Sequence, residues 1–202
     1  MVIRNEEFGG RSRVPIVDQI TGGYGFIGED ERWKVLRRFT LTTLRNFGMG
    51  KRSMAERMSE ESRYLVEKIS SFEEKPFDVV PTITAAVSNV ICAVIFGKRF
   101  SYDDKIFNEI LEILKKTNVD SHKKTLDPDN PRDFIDCFLL KLEKEQNSKI
   151  ICMEDLIMTV FELLVAGTES TSNAIAYGII LLASFPEVQG YNYSSIVGFS
   201  AF

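Results

Sequence analysis

Phe161 to Gln189 reads FELLVAGTESTSNAIAYGIILLASFPEVQ, and the reading of this stretch decides the fold. From about Met153 to Ser184 no proline interrupts the chain and apolar residues fall on most sides. The spacing predicts a helix on the order of 45 Å long. A helix that is apolar nearly all round runs through the middle of a domain. Its centre departs from that pattern, because Ala166-Gly167-Thr168-Glu169-Ser170-Thr171 sets a glycine, an acid and three hydroxyls side by side. Gly costs about 1 kcal/mol against Ala inside a helix, and Ser and Thr hydroxyls compete for backbone carbonyls and can bend or widen a turn. Small residues leave room for something flat or for a diatomic ligand, and an acid beside a hydroxyl can pass protons or hold water. The pattern alone reads equally well as a helix kink filled with small residues.

Upstream, the chain reads as helix after helix. Residues 1–28 are loop-like, punctuated by Gly9-Gly10, Pro15, Gly22-Gly23, Gly25 and Gly28. Trp33, Leu36, Leu41 and Leu44 predict a helix that ends near Gly48 and Gly50, and Met54, Met58, Tyr64, Leu65 and Ile69 predict a second over 51–70. Residues 78–96 are rich in Val and Ile, but the run is long for a strand, so a buried helix closing at Gly97 is favoured. Ser101 has the character of an N-cap for a helix carrying Phe107, Ile110, Leu111 and Leu114. Residues 117–131 are polar, a helix follows with Phe134, Ile135, Phe138, Leu139 and Leu142, and 146–151 form a linker. Strand signals are few and repeats are absent, so the expected class is all-α.

Composition narrows the function. The 202 residues are 44% apolar, 27% charged and 11% aromatic, the balance of a globular domain with a core. The formal charge of −4 is unevenly spread: Arg32, Lys34, Arg37, Arg38, Arg45, Lys51, Arg52 and Arg57 are opposed only by Glu56. Such a stretch docks anions or an acidic protein, or is simply a solvated helix face. A nucleic-acid binder would rest on these residues alone, and the net charge opposes it. Cys92, Cys137 and Cys152 are odd in number, widely spaced and free of any C-x-x-C, which predicts reduced thiols. His122 is the only histidine and is expected at the surface, so no His-based metal site or Ser-His-Asp triad can be drawn. The N-terminus reads as neither signal peptide nor anchor, and the longest apolar run, Ala174 to Phe185, is too short to span a bilayer.

The central stretch resembles the long helix of the cytochrome P-450 family, whose signature A/G-G-x-D/E-T-T/S is followed by a P-E-V-Q-like turn. Arg32-Trp33-Lys34-Val35-Leu36-Arg37 resembles the family's W-x-x-x-R helix. Thr42 to Arg52, Asn89 to Cys92 with Phe96 to Phe100, and Asn130 to Asp136 resemble the microsomal family-two pattern. These matches occur in family order and cover nearly all of residues 6–189. The resemblance implies a partial cytochrome P-450 fold, a helical bundle around one long central helix, and the activity of a heme-dependent monooxygenase. Such an enzyme inserts oxygen into lipophilic small molecules with electrons from NADPH via a reductase.

By that resemblance Trp33 and Arg37 reach the heme propionates, Ala166 and Gly167 lie over the heme face, and Glu169 with Ser170 and Thr171 supplies protons to bound dioxygen. Ser170 stands where the family usually has Thr, so the hydroxyl is kept without the methyl that restricts it. Phe26, Ile27, Phe161, Glu162 and Val165 would line the substrate pocket. Lys34, Arg38 and Arg45 would face the reductase or cytochrome b5. The family's place is the endoplasmic reticulum membrane; this chain shows no anchor, which points to the cytoplasm.

The chain departs from the family in three places. The N-terminal anchor and first sheet are missing, a deletion is expected after about residue 116 where the family has its substrate-access helices, and residues 190–202 read as a non-family tail. The heme-ligating loop F-x-x-G-x-R-x-C-x-G is absent, and none of the three cysteines has that surrounding pattern. Without a thiolate the iron loses its defining axial ligand. The expectation for these 202 residues is therefore a truncated, catalytically inactive form lacking the heme-cysteine half, whose long helix leaves apolar surface uncovered.

Overall fold

The computed structural model describes residues 15–25, 31–73, 75–102, 119–145, 150–188 and 190. Regular structure among the described residues is entirely helical: α1 (Pro15–Thr21), α2 (Glu31–Asn46), α3 (Arg52–Ser70), α4 (Val79–Ile95), α5 (Val119–Thr125), α6 (Phe134–Lys144) and α7 (Met153–Ser184).

Local chemistry explains several boundaries. α4 begins where the Asp78 side chain accepts a hydrogen bond from the Val80 amide at 3.0 Å, and it ends before Gly97, whose φ of 65° takes the chain out of the helix. α6 begins where Asp133 Oδ1 accepts from the Asp136 amide at 3.0 Å. α7 begins with a capping box: Asp155 Oδ2 accepts from the Cys152 amide at 3.0 Å, and the Cys152 thiol faces the same oxygen at 3.3 Å.

The core lies where α2, α4, α6 and α7 meet. Leu36 and Leu44 of α2, Cys92, Val94 and Ile95 of α4, Phe134, Ile135, Phe138 and Leu139 of α6, and Leu156, Val160 and Leu164 of α7 form one buried cluster. Phe39, Phe134 and Phe138 tilt or meet edge to face, with centroids 5.4–6.1 Å apart. α4 packs along α7, and α3 covers the other side of α4. Glu61 is the one buried residue of α3. It accepts from Arg99 Nε at 2.8 Å and from the Tyr102 hydroxyl, while Asn89 exchanges two hydrogen bonds with the Phe100 backbone. Burial and Glu61 together push the Tyr102 hydroxyl well above its ordinary range.

Two elements lie where no helix signal is read. α1 falls inside the glycine-punctuated stretch read as a loop; Pro15 tolerates the first helical position because the amide it lacks would have no partner there. α5 falls inside the polar stretch 117–131 and packs on α6. His122, expected at the surface, is a correction: its side chain is 14% exposed, with Nε2 2.8 Å from Asp133 Oδ2. The helix read from Ser101 onward lies largely outside the described residues, as does most of the linker.

Candidate functional site

α7 is continuous from Met153 to Ser184, so the hydroxyl-rich turn at its centre does not break it. The backbone competition expected there is nonetheless present: Ser170 Oγ donates to the Ala166 carbonyl at 2.8 Å, and Ser172 Oγ to the Glu169 carbonyl at 3.3 Å. The turn presents two faces. Thr168 is buried with its hydroxyl 3.3 Å from that of Ser88 on α4, and a Cβ at Gly167 would stand 2.7 Å from Ile91 Cδ1. Gly167 therefore lets α7 approach α4 closely. Val165, Ala166, Glu169 and Ser170 are exposed on the side turned away from α4, and Thr171, also exposed, shares the face of Gly167 four residues before it.

That open side continues down the helix. Beyond Val165 only Thr168, Ser172 and Ala176 are buried, and Tyr177 and Leu181 are 70% and 55% exposed. Of the other pocket residues expected, Phe161 is partly buried and Glu162 fully so. Phe26 and Ile27 lie outside the described residues.

Trp33 and Arg37 share one face of α2, as four-residue spacing requires, with the guanidinium carbon 5.7 Å from the indole centroid. Trp33 is partly buried and Arg37 exposed. Lys34, Arg38 and Arg45 are exposed, Lys34 within 3.4 Å of Glu31. A groove of about 670 Å³ between α2 and α6 gathers Lys34 and Arg38 with Lys141 and Lys144 around Val35, Phe39 and Leu140, and Glu31 and Glu145 there pair with Lys34 and Lys141. The contribution of α6 to this basic rim was missed in the sequence; the three-residue spacing of Lys141 and Lys144 was its only local sign.

The family model described as Cytochrome P450 matches residues 1–121 and 117–191. The chain belongs to the cytochrome P450 family. It is 38% identical to Cytochrome P450 2C23 of Rattus norvegicus over 231 aligned residues, taking in 92% of this chain and 47% of the relative. It is 40% identical to Cytochrome P450 2C8 of Homo sapiens, with 93% and 48% covered, and 37% identical to Cytochrome P450 2B4 of Oryctolagus cuniculus, with the same coverage. The chain thus spans about half the length of the curated relatives it matches.

A cytochrome P450 implies heme, and the fit of these residues to that group is one-sided. The open face of α7 and the Trp33–Arg37 pair suit a wall and a rim for it. The cysteines do not suit its iron. Burial pushes the Cys92 thiol up to about 12, countered only in part by Lys98. Burial, with Glu154 and Asp155 nearby, pushes Cys152 up to about 11. Cys137 is raised by burial and by Asp133 and Asp136. All three are free thiols in helical surroundings: Cys92 is buried in α4, Cys137 sits on α6 and Cys152 caps α7 against Asp155.

Among the described residues one further group could hold a metal: ligand atoms of His122, Asp133 and Asp136 lie within 4.8 Å of one another. Arg132 already occupies it, donating to Asp136 Oδ2 from Nε at 2.7 Å and to Oδ1 from the guanidinium terminus at 2.9 Å. The cluster serves as an ion-pair network that holds the turn between α5 and α6. No helix among the described residues is long and apolar enough to cross a membrane.

Proposed function

We propose that this chain carries the oxygen-side wall and the propionate-side rim of a heme-thiolate monooxygenase acting on lipophilic small molecules, with electrons supplied from NADPH by a reductase. The observation that carries the proposal is the division of the signature turn: Gly167 and Thr168 bind α7 to α4, while Ala166, Glu169 and Ser170 face the open side. Ala166 lines the heme face of the helix, Gly167 backs it by letting α4 close on the opposite side, and Glu169 and Ser170 deliver protons along it. Phe161, Glu162 and Val165, with Phe26 and Ile27 from upstream, border the substrate. Trp33 and Arg37 hold the propionates, and Lys34, Arg38 and Arg45 meet the reductase or cytochrome b5 at the endoplasmic reticulum membrane.

The test is a graft of residues 161–188 in place of the matching stretch of the human relative. The graft should keep the Soret band of a thiolate-ligated heme and turn over that relative's substrates. Ser170→Ala in the graft should lower product per electron consumed by about tenfold or more, as expected on losing a positioned proton donor. A graft with a normal Soret band in which Ser170→Ala changes nothing contradicts the assignment.

A second reading concerns the 202 residues as a polypeptide on their own. The placement of the cysteines favours it, with Cys92 buried in α4, Cys137 within α6 and Cys152 at the cap of α7: this polypeptide forms no thiolate-ligated heme. Two observations support the expected internal deletion. The family match is split at residues 117–121, and 231 aligned positions draw on only 92% of 202 residues. A reduced carbon-monoxide difference spectrum should lack the thiolate band, and its presence would refute this reading.

A further inference from the structure

The turn that follows α1, at Gly22 to Gly25, is tied to α7 through one buried carboxylate. Asp155 is fully buried at the first turn of α7. Its Oδ2 is taken by the cap of that helix, while Oδ1 accepts from the Gly25 amide at 3.1 Å. Arg32, in the first turn of α2, brings its guanidinium to 3.9 Å from the same Oδ1. It also donates to the Gly23 carbonyl and lies 5.3 Å from the centre of the Tyr24 ring. Gly25 has φ of +90°, and a Cβ there would stand 2.6 Å from Glu162 Oε2, two helical turns beyond Asp155. The backbone of this turn is thus seated against two acids of α7 and closed by an arginine of α2.

The connection matters because α2 makes only sparse helix contacts, more with α6 than with α7. Arg32 immediately precedes Trp33, so any shift of Arg32 moves the first turn of α2 and the indole with it. We infer that Arg32 and Asp155 are positioning residues: their contact sets where Trp33 and Arg37 stand relative to the signature turn of α7. The importance of that placement rests on the function proposed above, but the placement itself can be measured without heme.

Trp33 is the sole tryptophan, so intrinsic fluorescence reports on it alone. The experiment uses the full 202-residue chain and compares Arg32→Gln, Arg32→Lys and Asp155→Asn with the parent by emission maximum, acrylamide quenching and far-ultraviolet circular dichroism. Arg32 is partly exposed, so Arg32→Gln should keep the parent helicity. Its quenching constant should rise by about twofold as the first turn of α2 loosens. Arg32→Lys keeps the charge and a donor and should fall between Arg32→Gln and the parent. Asp155→Asn removes the charge facing Arg32 and should shift Trp33 in the same direction. Parent-like emission and quenching in Arg32→Gln, or a change that only follows lost helicity, overturns the inference. Neither result depends on whether the chain binds heme, so failure here is distinct from failure of the proposed function.

Discussion

The two halves of α7 are built from similarly apolar sequence but live in different surroundings. From Met153 to Leu164 only Glu154 is exposed, because α6 and the turn after α1 close one side and α4 the other. From Val165 to Ser184 burial shrinks to Thr168, Ser172 and Ala176, leaving Ile175, Ile180 and Leu181 in solvent. The difference shows that hydrophobic pattern states what a helix is made to bury, while tertiary partners decide what is buried. The signature turn sits at the boundary between the halves, where a flat ligand could reach the open side while the helix stays anchored behind.

The largest expected effect lies in the covered half. Leu156→Ala should cost about 2–5 kcal/mol, the usual penalty for a cavity in a packed core, whereas Leu181→Ala should stay within about 0.5 kcal/mol. Urea unfolding of the two variants checks the contrast, and equal losses would break it. A smaller effect should come from acid. Burial opposes charge on Asp136, but its hydrogen bonds from Arg132 outweigh burial and hold the carboxyl below its ordinary value. A depressed folded value means that the stabilisation is complete above the unfolded carboxylate range, near about 3.9, and is lost as pH falls through the folded value. Melting midpoints taken down the acid range should fall there in the parent, and Asp136→Asn should flatten that fall.

At the boundary, Thr168→Val removes the hydroxyl facing Ser88, but Ser88 Oγ still donates to the Thr84 carbonyl at 2.8 Å. The loss should be about 0.5–1.5 kcal/mol by chemical denaturation. Gly167→Ala should cost about as much as Thr168→Val. Its methyl meets the tip of Ile91, so overpacking of about 1–3 kcal/mol is offset by about 1 kcal/mol of helix propensity. A net loss of about 1 kcal/mol in the same assay would sharpen the view that Gly167 serves the α4 contact.

Much of this was legible beforehand. The bounds of α7 and the shared face of Trp33 and Arg37 follow from spacing, and the burial of α4 as a helix from the length of its apolar run, all of which local sequence encodes directly. α1 and α5 were not legible, since short helices draw their stability from packing more than from pattern. The partial burial of His122 was hidden for a similar reason: its partner Asp133 is eleven residues away, across a turn. Asp155 could have been noticed, because Cys152-x-x-Asp155 has capping-box spacing. Its bond to Gly25 could not, since that contact spans 130 residues. The two faces of the signature turn were equally invisible until Ser88 and Ile91 of α4 fixed which side is covered.

The contrast within α7 is tested most directly by amide hydrogen exchange along that helix in the purified 202-residue chain. Amides from Leu156 to Leu164 should exchange more slowly than those from Tyr177 to Ser184 by about two orders of magnitude or more, because a helix covered on one narrow stripe opens locally. Uniform protection from Leu156 to Ser184 would show that the far half is covered after all, and would contradict the open face on which the functional reading depends.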